Sequence, residues 1–79
     1  MFRYQYYMEA MRKRNPKALY PTGFESAIVG IKGKRFILSR EKILKVLMRD
    51  GMTREEAREY HDFNIEGAYM GKYTPIYRH

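Results

Sequence analysis

The chain has no cysteine and no tryptophan among its 79 residues. Without thiols, neither disulfides nor a thiolate metal site can staple the fold, which removes the usual device of small secreted domains. Long apolar runs are missing too. The longest apolar stretch is residues 27–31, Ala-Ile-Val-Gly-Ile, whereas about 20 apolar residues are needed to cross a bilayer. The opening Met1-Phe2-Arg3-Tyr4-Gln5-Tyr6 holds no apolar stretch of the signal-peptide kind. These absences point to a soluble chain of a reducing cytoplasm or of a virion, with no membrane partner. At this length one domain is expected, burying only about 60–65% of the surface its unfolded form exposes.

Acids are scarce in the first part of the chain. Residues 1–49 carry twelve Lys/Arg against Glu9, Glu25 and Glu41, whereas residues 50–66 carry Asp50, Glu55, Glu56, Glu59, Asp62 and Glu66 against Arg54 and Arg58. The net charge is +7. A field so divided attracts polyanions or acidic protein surfaces and bears on association rather than on fold. Eight Tyr and four Phe supply flat apolar bodies that suit both a small core and a contact surface.

Tyr4, Tyr7, Met8 and Met11 fall at i, i+3, i+4 and i+7, which predicts a helix over 2–14 closed by the cations Arg12, Lys13 and Arg14 and stopped at Pro16. Residues 24–31 read as a strand, and Lys32-Gly33 separates them from a second strand at 34–38, making a hairpin. Ser39 can cap a helix over 40–50, with Ile43, Leu44, Leu47 and Met48 on one side, Lys42, Lys45 and Arg49 on the other, and Gly51 at its end. Thr53-Arg54-Glu55-Glu56 is a capping box for a helix over 54–66, whose apolar side is read as Ala57, Tyr60 and Ile65 with Asn64 between them. Gly67 and Gly71 bracket Ala68-Tyr69-Met70, and Pro75 makes the extended tail 74–77 an edge strand or a docked segment.

The run from Asp50 to Tyr77 holds a Gly-Met-Thr capping box at 51–53, Phe63-Asn64-Ile65, Gly67-Ala68-Tyr69 and Thr74-Pro75-Ile76-Tyr77. It resembles a pattern in small uncharacterised proteins of bacteriophages and their hosts, over residues 27–31 and 43–77. The resemblance implies a viral or mobile-element origin and the order strand, helix, helix, extended tail. It implies no activity, and residues 1–20 fall outside it.

The expected fold is α+β: an N-terminal helix, a β-hairpin, two packed helices joined at a Gly turn and an extended C-terminal segment. Residues 1–20 form a basic aromatic arm and 21–79 a single domain. The cations Arg12, Lys13, Arg14, Lys32, Lys34, Arg35, Lys42, Lys45 and Arg49 could neutralise phosphates or meet an acidic protein surface, with Tyr side chains stacking on unpaired bases. A helix-turn-helix is opposed by bulky Leu47 at the crossing and by the acidic second helix. The other reading is a protein-binding module, a host-factor inhibitor or small virion component, whose anchor is the arm of Phe2, Tyr4, Tyr7, Met8 and Met11; self-association through the arm is a variant. No enzyme is expected: Ser26 and Ser39 lack a base with an orienting partner, and no cofactor is called for. His61 is read as a helix-surface histidine, and neither it nor His79 has ligands spaced for a metal. Asn64 is expected to be buried and to tie the segment 67–75 to its helix, because an unpaired amide inside costs about 1–3 kcal/mol.

Overall fold

A computed structural model describes residues 3–68 and 70–79, so Phe2 of the expected arm and Tyr69 of the C-terminal motif lie outside the described residues. The elements run α1 (Arg3–Arg14), β1 (Ile28–Lys32), β2 (Arg35–Ser39), α2 (Arg40–Arg49), α3 (Arg54–Tyr60) and β3 (Ile76–Arg78). The fold is α+β. Among the described residues, no helix is long and apolar enough to cross a membrane.

The sheet has the order β1-β2-β3, with β2 antiparallel to β1 and parallel to β3. Lys32 pairs with Arg35, so the turn is Gly33-Lys34, one residue beyond the expected separator. Gly33 has φ +62, the positive value that a two-residue hairpin turn needs at its first central position. Strand β1 also starts later than expected. Phe24–Ala27 closes a tight turn, in which the Phe24 amide donates to Pro21 and the Ala27 amide to Phe24, so these groups are satisfied locally rather than in a ladder.

A parallel neighbour for β2 requires a long crossover, and α2 with α3 supplies it. Ser39 caps α2 by accepting from the Lys42 amide, Gly51 takes φ +112 after it, and both halves of the Thr53–Glu56 capping box are formed. Residue Pro75 stands just before β3, where its missing amide breaks no ladder bond.

The core is built from Met11, Ala27, Ile28, Phe36, Leu38, Ile43, Leu44, Leu47, Ala57 and Ile65. Tyr4, Tyr7 and Met8 pack against it, so the described part of the basic aromatic arm, α1, is a wall of the domain. It lies along the hairpin. Arg3 shares a depression with Ile28 and Ser39 at the hairpin's base, while the Arg14 guanidinium donates to the Gly33 carbonyl at its tip, 3.0 Å away. Buried Asn15 fixes that end, donating to Lys34 O at 3.0 Å and accepting from the Lys17 amide at 3.2 Å.

Two expected inward faces are corrected. On α2, Val46 is buried and Met48 is 38% exposed. Beyond Tyr60 the helix widens into a π turn over His61–Glu66, which rotates later residues away from α-helical positions. His61 and Ile65 turn inward while Tyr60, Phe63 and Asn64 face out. Exposed Asn64 therefore ties nothing. Thr74 folds the segment 67–75 on itself: its Oγ1 accepts from the Met70 amide at 2.9 Å and donates to Gly71 O. Gly67 ends the wide turn because a Cβ there would sit 2.9 Å from Asp62 O and 3.0 Å from Phe63 O.

Candidate nucleic-acid interface

Folding divides the nine expected cations into two groups. At the hairpin tip, α1 brings Arg12, Lys13 and Arg14 beside the exposed Lys32 and Lys34. Arg12 pairs with Glu9 at 3.2 Å, but both side chains are largely exposed, and a pair in water contributes little. Arg35 leaves the set. Its Nε donates to Thr74 O at 2.7 Å, which makes it a link between β2 and the loop before β3.

The second group lies on α2. Lys42, Lys45 and Arg49 line one depression with Ser26 and Val46. A second depression, sharing Ser26 and Lys42 with the first, is lined by Arg3, Tyr4, Ile28, Val29, Ser39 and Arg78. The continuous surface thus presents five cations (Arg3, Lys42, Lys45, Arg49, Arg78) and no carboxylate. Arg3 and Arg78 were not readable from sequence, because they come from opposite ends of the chain and meet only when α1 and β3 flank the hairpin base. Half-buried Tyr4 contributes the aromatic wall.

The nearby acids are held elsewhere. Glu41 accepts two hydrogen bonds of 3.0 Å from Arg54, which hold its carboxyl below the usual range, with Lys45 and Arg40 adding to the effect. Asp62 accepts from Arg40, whose nearest nitrogen is 3.2 Å away. These two pairs clamp the start of α2 to the start of α3 and to the π turn, and they occupy Arg40 and Arg54 rather than the stripe lysines. On the far side, Glu55 and Glu59 share a surface with Arg54 and Arg58. Beside it Phe63 is 78% exposed and Tyr60 41%, next to Met52, Glu56 and Asn64.

A separate cluster joins the π turn to the end of β3. His61, expected on the surface, is fully buried, its ring edge-to-face with Tyr77 at 5.4 Å between centroids. Its Nε2 is 2.9 Å from Glu66 Oε1, and His79 Nε2 is 2.8 Å from the same oxygen. His61 Nδ1 and the Tyr77 hydroxyl are buried without hydrogen-bond partners. Burial, reinforced by the Glu66 charge, pushes the Tyr77 hydroxyl up to about 12, so it stays protonated. The sequence held the clue only as His61, Glu66 and His79; nothing in α-helical spacing brings them together. No protein-family model matches the chain, no curated protein matches it, and no solved structure matches it.

Proposed function

We propose that the protein is a non-enzymatic nucleic-acid binder that holds the phosphate backbone without reading sequence. The supporting observation is the carboxylate-free surface around Ser26 and Lys42, lined by Arg3, Lys42, Lys45, Arg49 and Arg78. Phosphate contacts demand positive charge within reach of a groove and little else. The tip cations Lys13, Arg14, Lys32 and Lys34 extend the field along α1, whose twelve residues span about 18 Å. The resemblance to small proteins of bacteriophages and their hosts supports a viral or mobile-element origin, and with it a binder acting in an infected host's cytoplasm or in the virion.

Fluorescence anisotropy with a labelled duplex over a salt series tests the reading. Neutralising about five phosphates makes log affinity fall with log salt at a slope of roughly −4 to −5. Replacing Lys42, Lys45 and Arg49 together by Gln should make the slope shallower by about 3. Absence of binding at low salt would remove the proposal.

A protein partner is the second reading, now favoured by a different observation. Tyr4 and Tyr7 of the arm pack on the domain's own core, whereas Phe63 stands 78% exposed beside Tyr60. A partner would be anchored there. Loss of partner capture on Phe63→Ala, with capture unchanged in the α2 triple variant, would select this reading over the first.

A further inference from the structure

We propose that His61, Glu66 and His79 form a site for a divalent transition-metal ion, zinc foremost. Their ligating atoms all lie within 4.8 Å of one another. Both imidazoles present Nε2 to a single carboxylate, at 2.9 Å and 2.8 Å from Oε1, with Oε2 3.1 Å from His79. Two imidazoles and one carboxylate are a known zinc donor set, leaving a fourth position for water. Bonds of about 2.0–2.1 Å in tetrahedral geometry place ligand atoms about 3.4 Å apart. Entry of an ion therefore needs each ring to draw back from Glu66 by about half an ångström, and the two Nε2 atoms, now within 4.8 Å of each other, to settle at the same spacing.

The backbone explains why these residues converge. In an α-helix, positions 61 and 66 would lie about 140° apart around the axis. The π turn of His61–Glu66 brings i and i+5 onto one side, stacking the histidine against the carboxylate. His79 then arrives from the strand that pairs parallel to β2.

The second observation is the orphaned ring nitrogen. Without an ion, each ring in its Nε2–H tautomer donates to Glu66, and buried His61 Nδ1 is left as an unpaired acceptor. Ligation at Nε2 moves that proton to Nδ1, turning it into a donor that a bound histidine ordinarily gives to an oxygen. The Tyr77 hydroxyl, on the ring packed edge-to-face against His61, is likewise buried without a partner, and the two groups do not bond each other. An ion would therefore convert two donors competing for one carboxylate into three ligands. It would also pin the three-residue β3 to the helix pair.

Untagged protein stripped with EDTA is titrated with zinc and, separately, with cobalt(II). The expected results are a rise in the thermal midpoint with zinc and a cobalt d–d absorption that saturates at one ion per chain. His79→Ala, at an exposed side chain, should keep the fold and weaken zinc binding by about tenfold or more, the least expected when a ligand rather than its outer support is lost. Glu66→Gln should do the same. Nitrogen-15 NMR of the wild-type imidazoles reads ligation directly, through a zinc-dependent shift of Nε2 in both rings. A wild-type midpoint unchanged at millimolar zinc, or equal zinc affinity in His79→Ala, would overturn the site and leave a hydrogen-bonded trio.

Discussion

Arg35 Nε donates to Thr74 O across a sequence separation of 39 residues, at 2.7 Å. This bond, with the two made by the Thr74 hydroxyl, holds the irregular segment before β3 against β2. Thr74→Val keeps the shape but strips the Met70 amide of its partner and leaves the Gly71 carbonyl with only the backbone amide of residue 74. The expected loss is about 1–3 kcal/mol in urea unfolding, with Arg35→Ala acting in the same direction. The two effects should be non-additive, since both variants loosen one segment.

The Thr53 capping box should give about 1 kcal/mol, read as the cost of Thr53→Ala in the same assay. It also carries a pH signature. The Thr53 backbone amide, then its hydroxyl, lowers the Glu56 carboxyl, and Arg54 lowers Glu41. A carboxyl depressed in the folded state adds stability that is complete above its ordinary value of 4.5 and vanishes as pH falls through the lower folded value. Wild-type stability should thus decline through that acid window, and Glu56→Gln with Glu41→Gln should flatten part of the decline.

Gly67→Ala should cost about 1–3 kcal/mol by overpacking, because the added methyl meets the carbonyls of Asp62 and Phe63 at 2.9 and 3.0 Å. Backbone oxygens cannot swing aside as a side-chain end would. A thermal melt checks it, and substitution of the open surface residue Asn64 by Ala should leave the midpoint nearly unchanged.

Neutralising the hairpin-tip group (Lys13, Lys32, Lys34) and the α2 group (Lys42, Lys45, Arg49) separately should reveal which anchors nucleic acid. If the carboxylate-free surface dominates, the α2 variant has the shallower salt slope. Equal loss from both would mean that one strand runs along α1 from end to end.

What could be read from sequence was local. Ser39, Gly51 and Thr53 act on backbone groups within three or four residues, so their hydrogen bonds follow from spacing alone. The order of strands and helices followed from the same punctuation. The far end of α3 did not, because α-helical periodicity was carried past Tyr60 into a wider turn. That one change sends Asn64 outward, while buried His61, four residues past Ala57, lies where α-helical spacing itself turns it inward. Arg35 looked like one more surface cation, since its carbonyl partner at Thr74 belongs to a distant loop. Arg3 and Arg78 joined the basic surface for a reason equally remote from local pattern.

Strand β2 acquires its first neighbour through a two-residue turn and its second only after residues 40–75 have been laid down between them. A hairpin closes in about 1–10 μs, whereas contacts that bridge long stretches of chain come late and govern the overall rate. The expected last docking event in assembly is therefore the arrival of residues 76–79. Arg78 and His79 would reach their stations only then, completing the carboxylate-free basic surface and the histidine pair in the same concluding step.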